Sequence, residues 1–114
     1  MKSSKEIAEV FRALGDPTRI EILRHLQSGE KTTTELSELM ELSQSAVTHH
    51  ITVLYMSRLL GCRREGKWVY YSISPAGVNT VKTLLAEVTS LKMPEEKEDP
   101  HWELKEKGNW SWSM

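Results

Sequence analysis

Apolar positions recur along this chain at two different periods, and each change of period predicts a change of element. Ile7, Val10, Phe11 and Leu14 fall at helical spacing behind Ser3, which Glu6 pairs in a capping box, so a first helix is expected, closed by Gly15. Asp16 is the expected N-cap of a second helix, with Pro17 at its first position, where the missing N–H costs nothing. Its inward stripe is predicted as Ile20, Leu23 and Leu26. A further capping box, Thr32 with Glu35, opens a short third helix through Met40, with Leu36 and Leu39 turned inward. After the tight turn Glu41-Leu42-Ser43, Ser43 caps a fourth helix whose core side is Val47, Ile51 and Leu54. Two helices joined by so short a turn form a helix-turn-helix arrangement.

Within "LLGCRREGKWVYYSI" the period drops to two around Arg64-Glu65-Gly66-Lys67, with aromatic and β-branched residues following, which predicts a β-hairpin. Cys62 shares the parity of Leu60, so its sulfur is expected to pack inward as inert core, with an exposed, reactive thiol as the alternative. Trp68 is expected to pack across the hairpin, with Tyr70 and Tyr71 as sheet residues. Ser74 and Pro75 open a fifth helix carrying Val78, Val81, Leu84, Leu85, Val88 and Leu91. That is more apolar surface than one side of a small core uses, so part of it is expected to face a second subunit. Residues 1–92 read as one domain. Residues 93–114 read as an acidic, Trp-containing tail, in which Trp102, Trp110 and Trp112 either end a solvated segment or dock back on the domain.

Composition narrows the function classes. A chain of 114 residues with 39% hydrophobic content suits a single domain with its own core. Its one cysteine rules out an internal disulfide framework and favours a reducing, cytoplasmic setting; neither a signal peptide nor a membrane span is expected. The formal charge is only −1, yet it is unevenly spread: residues 44–74 hold Arg58, Arg63, Arg64 and Lys67 against Glu65 alone. A polyanion would be met there.

Two adjacent histidines lie inside that segment. With Val47, Ile51 and Leu54 facing the core, Ser45, Thr48, His49 and Thr52 fall on the opposite side of the helix, while His50 lies beside the core stripe. Neighbours on a helix diverge by about 100°, so His49 and His50 cannot share a metal ion, which needs i,i+3 or i,i+4 spacing. No nucleophile or paired carboxylate accompanies them, and no enzyme is expected. A polar face of Gln44, Ser45, Thr48, His49 and Thr52 at the start of the second helix suits base edges in a major groove. Ser43, Arg63, Arg64 and Lys67 would then position the phosphate backbone. His50 is expected to be half-buried and hydrogen-bonded within the fold, and His25 to be ordinary surface.

Three stretches, "LGDPTRIEIL", "TELSELMELSQSAVTHHITVL" and "RREGKWVYYSI", together resemble the ArsR family of winged-helix repressors over roughly residues 5–91. The resemblance implies a mainly α winged helix-turn-helix with a small β-hairpin, in the order α1-α2-α3-α4-β-β-α5. It further implies a homodimer joined through α1 and α5, with Ile7, Val10, Phe11, Val81, Leu84, Leu85, Val88 and Leu91 at the contact, and double-stranded operator DNA as the partner. Asp16 and Arg19 look like family signature positions, explained locally as a cap and a surface pair. The chain departs from the family where some relatives bind metal. Thr32 and Thr34 stand at the Cys-x-Cys positions, and the fifth helix offers Glu87 alone as a strong ligand, so no metal and no cofactor are expected. Arg58 stands where the family usually has Gly before the wing, so either the end of the fourth helix is shaped differently or it holds a strained left-handed residue. The function expected is a sequence-specific repressor acting as a homodimer on a palindromic operator. The alternatives are a protein-interaction module using the tail or groove face, and a thiol-responsive repressor using Cys62.

Overall fold

The computed structural model describes residues 3–90. Leu91, His101, Trp102, Trp110 and Trp112, and with them the expected boundary between residues 92 and 93, lie outside the described residues. The described chain is five helices and a two-stranded antiparallel hairpin, in the expected order: α1 (Ser4–Leu14), α2 (Pro17–Leu26), α3 (Thr33–Met40), α4 (Gln44–Met56), β1 (Leu60–Glu65), β2 (Trp68–Ile73) and α5 (Pro75–Val88).

Every helix begins at the cap its sequence provides. Ser3 Oγ accepts the Glu6 N–H at 3.2 Å, and Thr32 Oγ1 accepts that of Glu35 at 3.1 Å, each with the reciprocal glutamate contact of a capping box. Asp16 accepts from Thr18 and Arg19, Ser43 from Ala46, and Ser74 from Gly77. These bonds satisfy N–H groups that the first helical turn leaves without partners.

Ile22, Leu36, Val47 and Leu54 form the fully buried centre, joined by Ala13, Leu26, Ile51, Leu59 and Leu60. Two expected stripes turn out differently. In α2 the inward line is Ile22 and Leu26 with Leu23 beside them, while Ile20 lies at the surface. Steps of three residues drift backwards around a helix, so Ile20 and Leu26 stand about 120° apart and cannot share one seam. In α3 the inward pair is Leu36 with Met40, one full turn apart, and Leu39 is 53% exposed.

Two helix ends turn on left-handed residues that are not glycine. After α3, Glu41 adopts φ 55°, the Leu42 N–H reaches Ser37 O at 3.1 Å, and the Glu41 N–H reaches Glu38 O at 3.4 Å. After α4, Arg58 adopts φ 64°, with Leu59 donating to Leu54 O at 3.0 Å and Arg58 to Tyr55 O at 2.9 Å. Both are Schellman pairs, and the second adds the apolar Leu54–Leu59 contact of that motif. Gly77 of α5 packs onto this corner so closely that a Cβ there would stand 2.0 Å from Arg58 O, which explains glycine at that position.

The hairpin pairs Leu60 with Ile73 through to Glu65 with Trp68, leaving a two-residue loop whose Gly66 supplies φ 61°. Its root is fastened twice. Lys31, in the α2–α3 connection, exchanges both backbone hydrogen bonds with Tyr71 at 3.0 and 2.8 Å, a pairing the sequence did not announce. On the other side the Ser74 N–H reaches Leu59 O at 2.9 Å. On α5, Leu84 is only 2% exposed and is enclosed by its own chain, so it offers a partner almost nothing, whereas Leu85 and Val88 remain open. Ile7, Val10, Phe11 and Val81 are half-buried.

Candidate nucleic-acid interface

Helix α4 is anchored by Val47, Ile51 and Leu54, and that anchorage turns the other side of the helix to solvent. Gln44, Ser45, Thr48, His49 and Thr52 are all exposed there. Their hydrogen-bonding capacity is partly committed. Thr52 donates its hydroxyl to Thr48 O at 2.8 Å, which leaves its oxygen as an acceptor for an outside donor. Ser43 Oγ serves as the cap and lies 3.3 Å from Ser45 Oγ. Gln44, Thr48 and His49 make no side-chain hydrogen bond to other described residues.

The hairpin separates its two arginines by strand parity. Arg64, paired with Val69, is on the face toward α4 and shares a shallow cleft with Thr52, Tyr55 and Cys62. Arg63, paired with Tyr70, is on the other face, where its Nε lies 2.8 Å from both Glu30 carboxylate oxygens and its Nη1 lies 2.7 Å from Glu65. Its guanidinium also stacks 4.5 Å from the Tyr70 ring centroid. These bonds push the Arg63 pKa up and pull the Glu30 carboxyl below its usual range. Lys67, in the hairpin loop, holds its Nζ 5.2 Å over the Trp68 ring. The cationic loop is therefore divided: Arg64 and Lys67 carry no carboxylate partner among the described residues, and Arg63 is neutralised locally.

Cys62 departs from expectation. It does share the face of Leu60, opposite Tyr71, but it is exposed. Strand parity fixes the side of a residue and not its depth, and β1 leaves the core immediately after Leu60. The thiol lines the same cleft as Tyr55, and its neighbourhood raises the Tyr55 pKa. At the third helix, Thr32 is buried with its hydroxyl occupied as a cap. Among the described residues no three His, Cys, Asp or Glu side chains gather as a metal site.

His50 is half-buried and held within the fold as expected, and its partner is the residue that sequence reasoning undervalued. Arg19 is no surface pair. Its Nε donates to Ala13 O at 2.6 Å, its Nη2 to Arg12 O at 3.2 Å, and its Nη1 stands 3.1 Å from His50 Nδ1. The signal was available: Arg19, Ile22, Leu23 and Leu26 follow the i, i+3, i+4, i+7 rule, which puts Arg19 on the buried line of α2.

A short three-helix core with a capped turn before an exposed polar helix, and a hairpin beside that helix, defines a winged helix-turn-helix. Residues 16–60 match the model of the family described as bacterial regulatory protein, arsR family. The chain is 36% identical over 88 residues to a transcriptional repressor SmtB homolog of Synechocystis sp., covering 77% of this chain and 64% of that protein. It is 34% identical over 65 residues to the transcriptional repressor SdpR of Bacillus subtilis, covering 57% of this chain and 72% of that protein. Among solved structures, an ArsR-like transcriptional regulator from Rhodococcus sp. RHA1 superimposes with a TM-score of 0.68 at 25% identity, covering 96% of each chain. The protein belongs to the ArsR family of bacterial transcriptional regulators.

Proposed function

We propose that the protein is a cytoplasmic transcriptional repressor that binds a twofold-symmetric DNA operator as a homodimer and is not controlled by metal at the family's known sites. One observation carries this reading: the exposed polar side of α4 stands together with Arg64 of the hairpin, which has no carboxylate partner among the described residues, and Thr52 and Arg64 line a single cleft. Gln44, Ser45, Thr48 and His49 would read base edges in the major groove, Thr52 would accept from the duplex beside them, and Ser43, Arg64 and Lys67 would bind phosphates. Arg63, tied to Glu30 and Glu65, would stiffen the hairpin and reach phosphate only by giving up those partners. Ile7, Val10, Phe11, Val81, Leu85 and Val88 would supply the subunit contact. The relatives named as repressors support the direction of regulation.

Selection of bound duplexes from a random pool tests the reading. It should enrich an inverted repeat with half-site centres about 34 Å apart or a multiple of that spacing. Recovery of unenriched DNA would remove it.

The exposure of Cys62 beside Tyr55 favours a second reading, in which oxidation of that thiol relieves repression. A Cys62→Ser protein that represses normally yet ignores an oxidant that releases the wild type would support it. Identical responses of the two proteins would exclude it.

A further inference from the structure

Three helices meet at one guanidinium. Arg19 projects from the first turn of α2 and divides its donors between the last carbonyls of α1, Ala13 O at 2.6 Å and Arg12 O at 3.2 Å, and the His50 ring of α4 at 3.1 Å. A guanidinium only donates, so in this contact His50 Nδ1 is the acceptor, an arrangement that places the ring proton on Nε2 when the bond forms. The planar fork reaches all of these acceptors at once, which a single ammonium cannot do. The negative end of the α1 dipole favours the cation at that place. Asp16, the α2 cap, lies 4.0 Å from Nδ1 and supplies the neighbouring negative charge. On the far side of the joint, the His50 ring meets the His49 ring edge-on, with centroids 5.3 Å apart. That contact joins His50 to a residue proposed to read DNA.

We propose that Arg19 is a positioning residue for the recognition helix: through His50 it sets the angle at which α4 presents Gln44, Ser45, Thr48 and His49 to a duplex. Because its other end holds α1, the same joint ties the reading helix to a helix proposed for the subunit contact. The proposal rests on the DNA-binding reading above. Binding sites of this kind need their contacting side chains held to fractions of an ångström by residues that do not touch the ligand.

The test compares three variants with the wild type for the ratio of operator affinity to random-duplex affinity. Arg19→Lys keeps the charge and loses the fork; His50→Phe keeps a ring and loses the acceptor; His50→Asn restores an acceptor near the position of Nδ1. The first two should lower the ratio about tenfold, the scale of a coupling between contacting residues. Random-duplex affinity and its salt dependence should be unchanged, since no phosphate contact is removed. His50→Asn should keep most of the ratio, and the Arg19→Lys/His50→Phe double variant should be no worse than the poorer single one. Without DNA, the 15N shift of His50 should report an unprotonated, hydrogen-bonded Nδ1 that moves in Arg19→Lys. If Arg19→Lys fails to fold, His50→Phe carries the comparison alone. An unchanged ratio in a folded His50→Phe protein overturns the joint alone. A wild type that does not distinguish operator from random DNA overturns the reading beneath it as well.

Discussion

At the scale of single residues, the corner where Gly77 packs on Arg58 couples two backbone positions. Arg58 holds a left-handed conformation that costs an L-residue about 1 kcal/mol or more relative to glycine, part of which glycine returns through its looser unfolded state. Arg58→Gly should therefore stabilise the fold by about 0.5–1 kcal/mol in urea unfolding. Gly77→Ala should act the other way. Its new methyl would press into the Arg58 carbonyl, a backbone atom with nowhere to move, for a loss of about 2–4 kcal/mol. A melting temperature unchanged by Gly77→Ala would show that the corner is looser than its geometry. Asp16 supplies a pH dependence. The Arg19 backbone N–H, and then the Arg19 charge, hold its carboxyl below the usual range. A carboxylate with a lowered folded-state pKa contributes stability that is complete above its unfolded pKa and fades as pH falls through the folded one. Acid unfolding should accordingly begin below about pH 4, and Asp16→Asn should flatten that limb of the stability profile.

At the scale of elements, the sequence was legible wherever a local rule suffices. The caps at Ser3, Asp16, Thr32, Ser43 and Ser74 each need only a short window, and all five open helices where expected. The α4 stripe was equally readable, since Val47, Ile51 and Leu54 keep i+4 and i+3 steps and face a single core. Three features depended on what lies across the fold. Ile20 and Leu39 looked inward because they are apolar; helical geometry already separates Ile20 from Leu26, whereas the choice of Met40 over Leu39 rests on what packs against α3. The depth of Cys62 depends on where β1 leaves the core, and the capture of Arg63 depends on Glu30, which is distant in sequence. For the candidate interface, two elements should behave differently under mutation. His49→Ala should lose about 1–3 kcal/mol of discrimination between operator and mismatched duplex, measured by competition binding. Arg64→Ala should weaken all duplexes alike and reduce the dependence of log K on log salt by about one unit. An Arg64→Ala protein with the wild-type salt slope would detach the hairpin from the proposed contact.

At the scale of the whole molecule, the chain leaves apolar surface that its own core does not use. Leu85 and Val88 stay about half exposed on α5, at 49% and 52%, and suit the proposed subunit contact. Leu85→Asp should yield a folded monomer in sedimentation equilibrium and lose most operator affinity, because two linked half-sites bind far more tightly than one. A dimer that survives this change would move the contact elsewhere. The hairpin root is stitched to the α2–α3 connection through Lys31 and to the start of α5 through Ser74, so neither flank can slide without breaking backbone pairs. A stiff protein half leaves the adjustment to the nucleic acid. Base pairs midway between the half-sites, never touched by a side chain, would then affect affinity through how easily they twist and narrow, and flexible pyrimidine–purine steps there should bind better than stiff A-tracts.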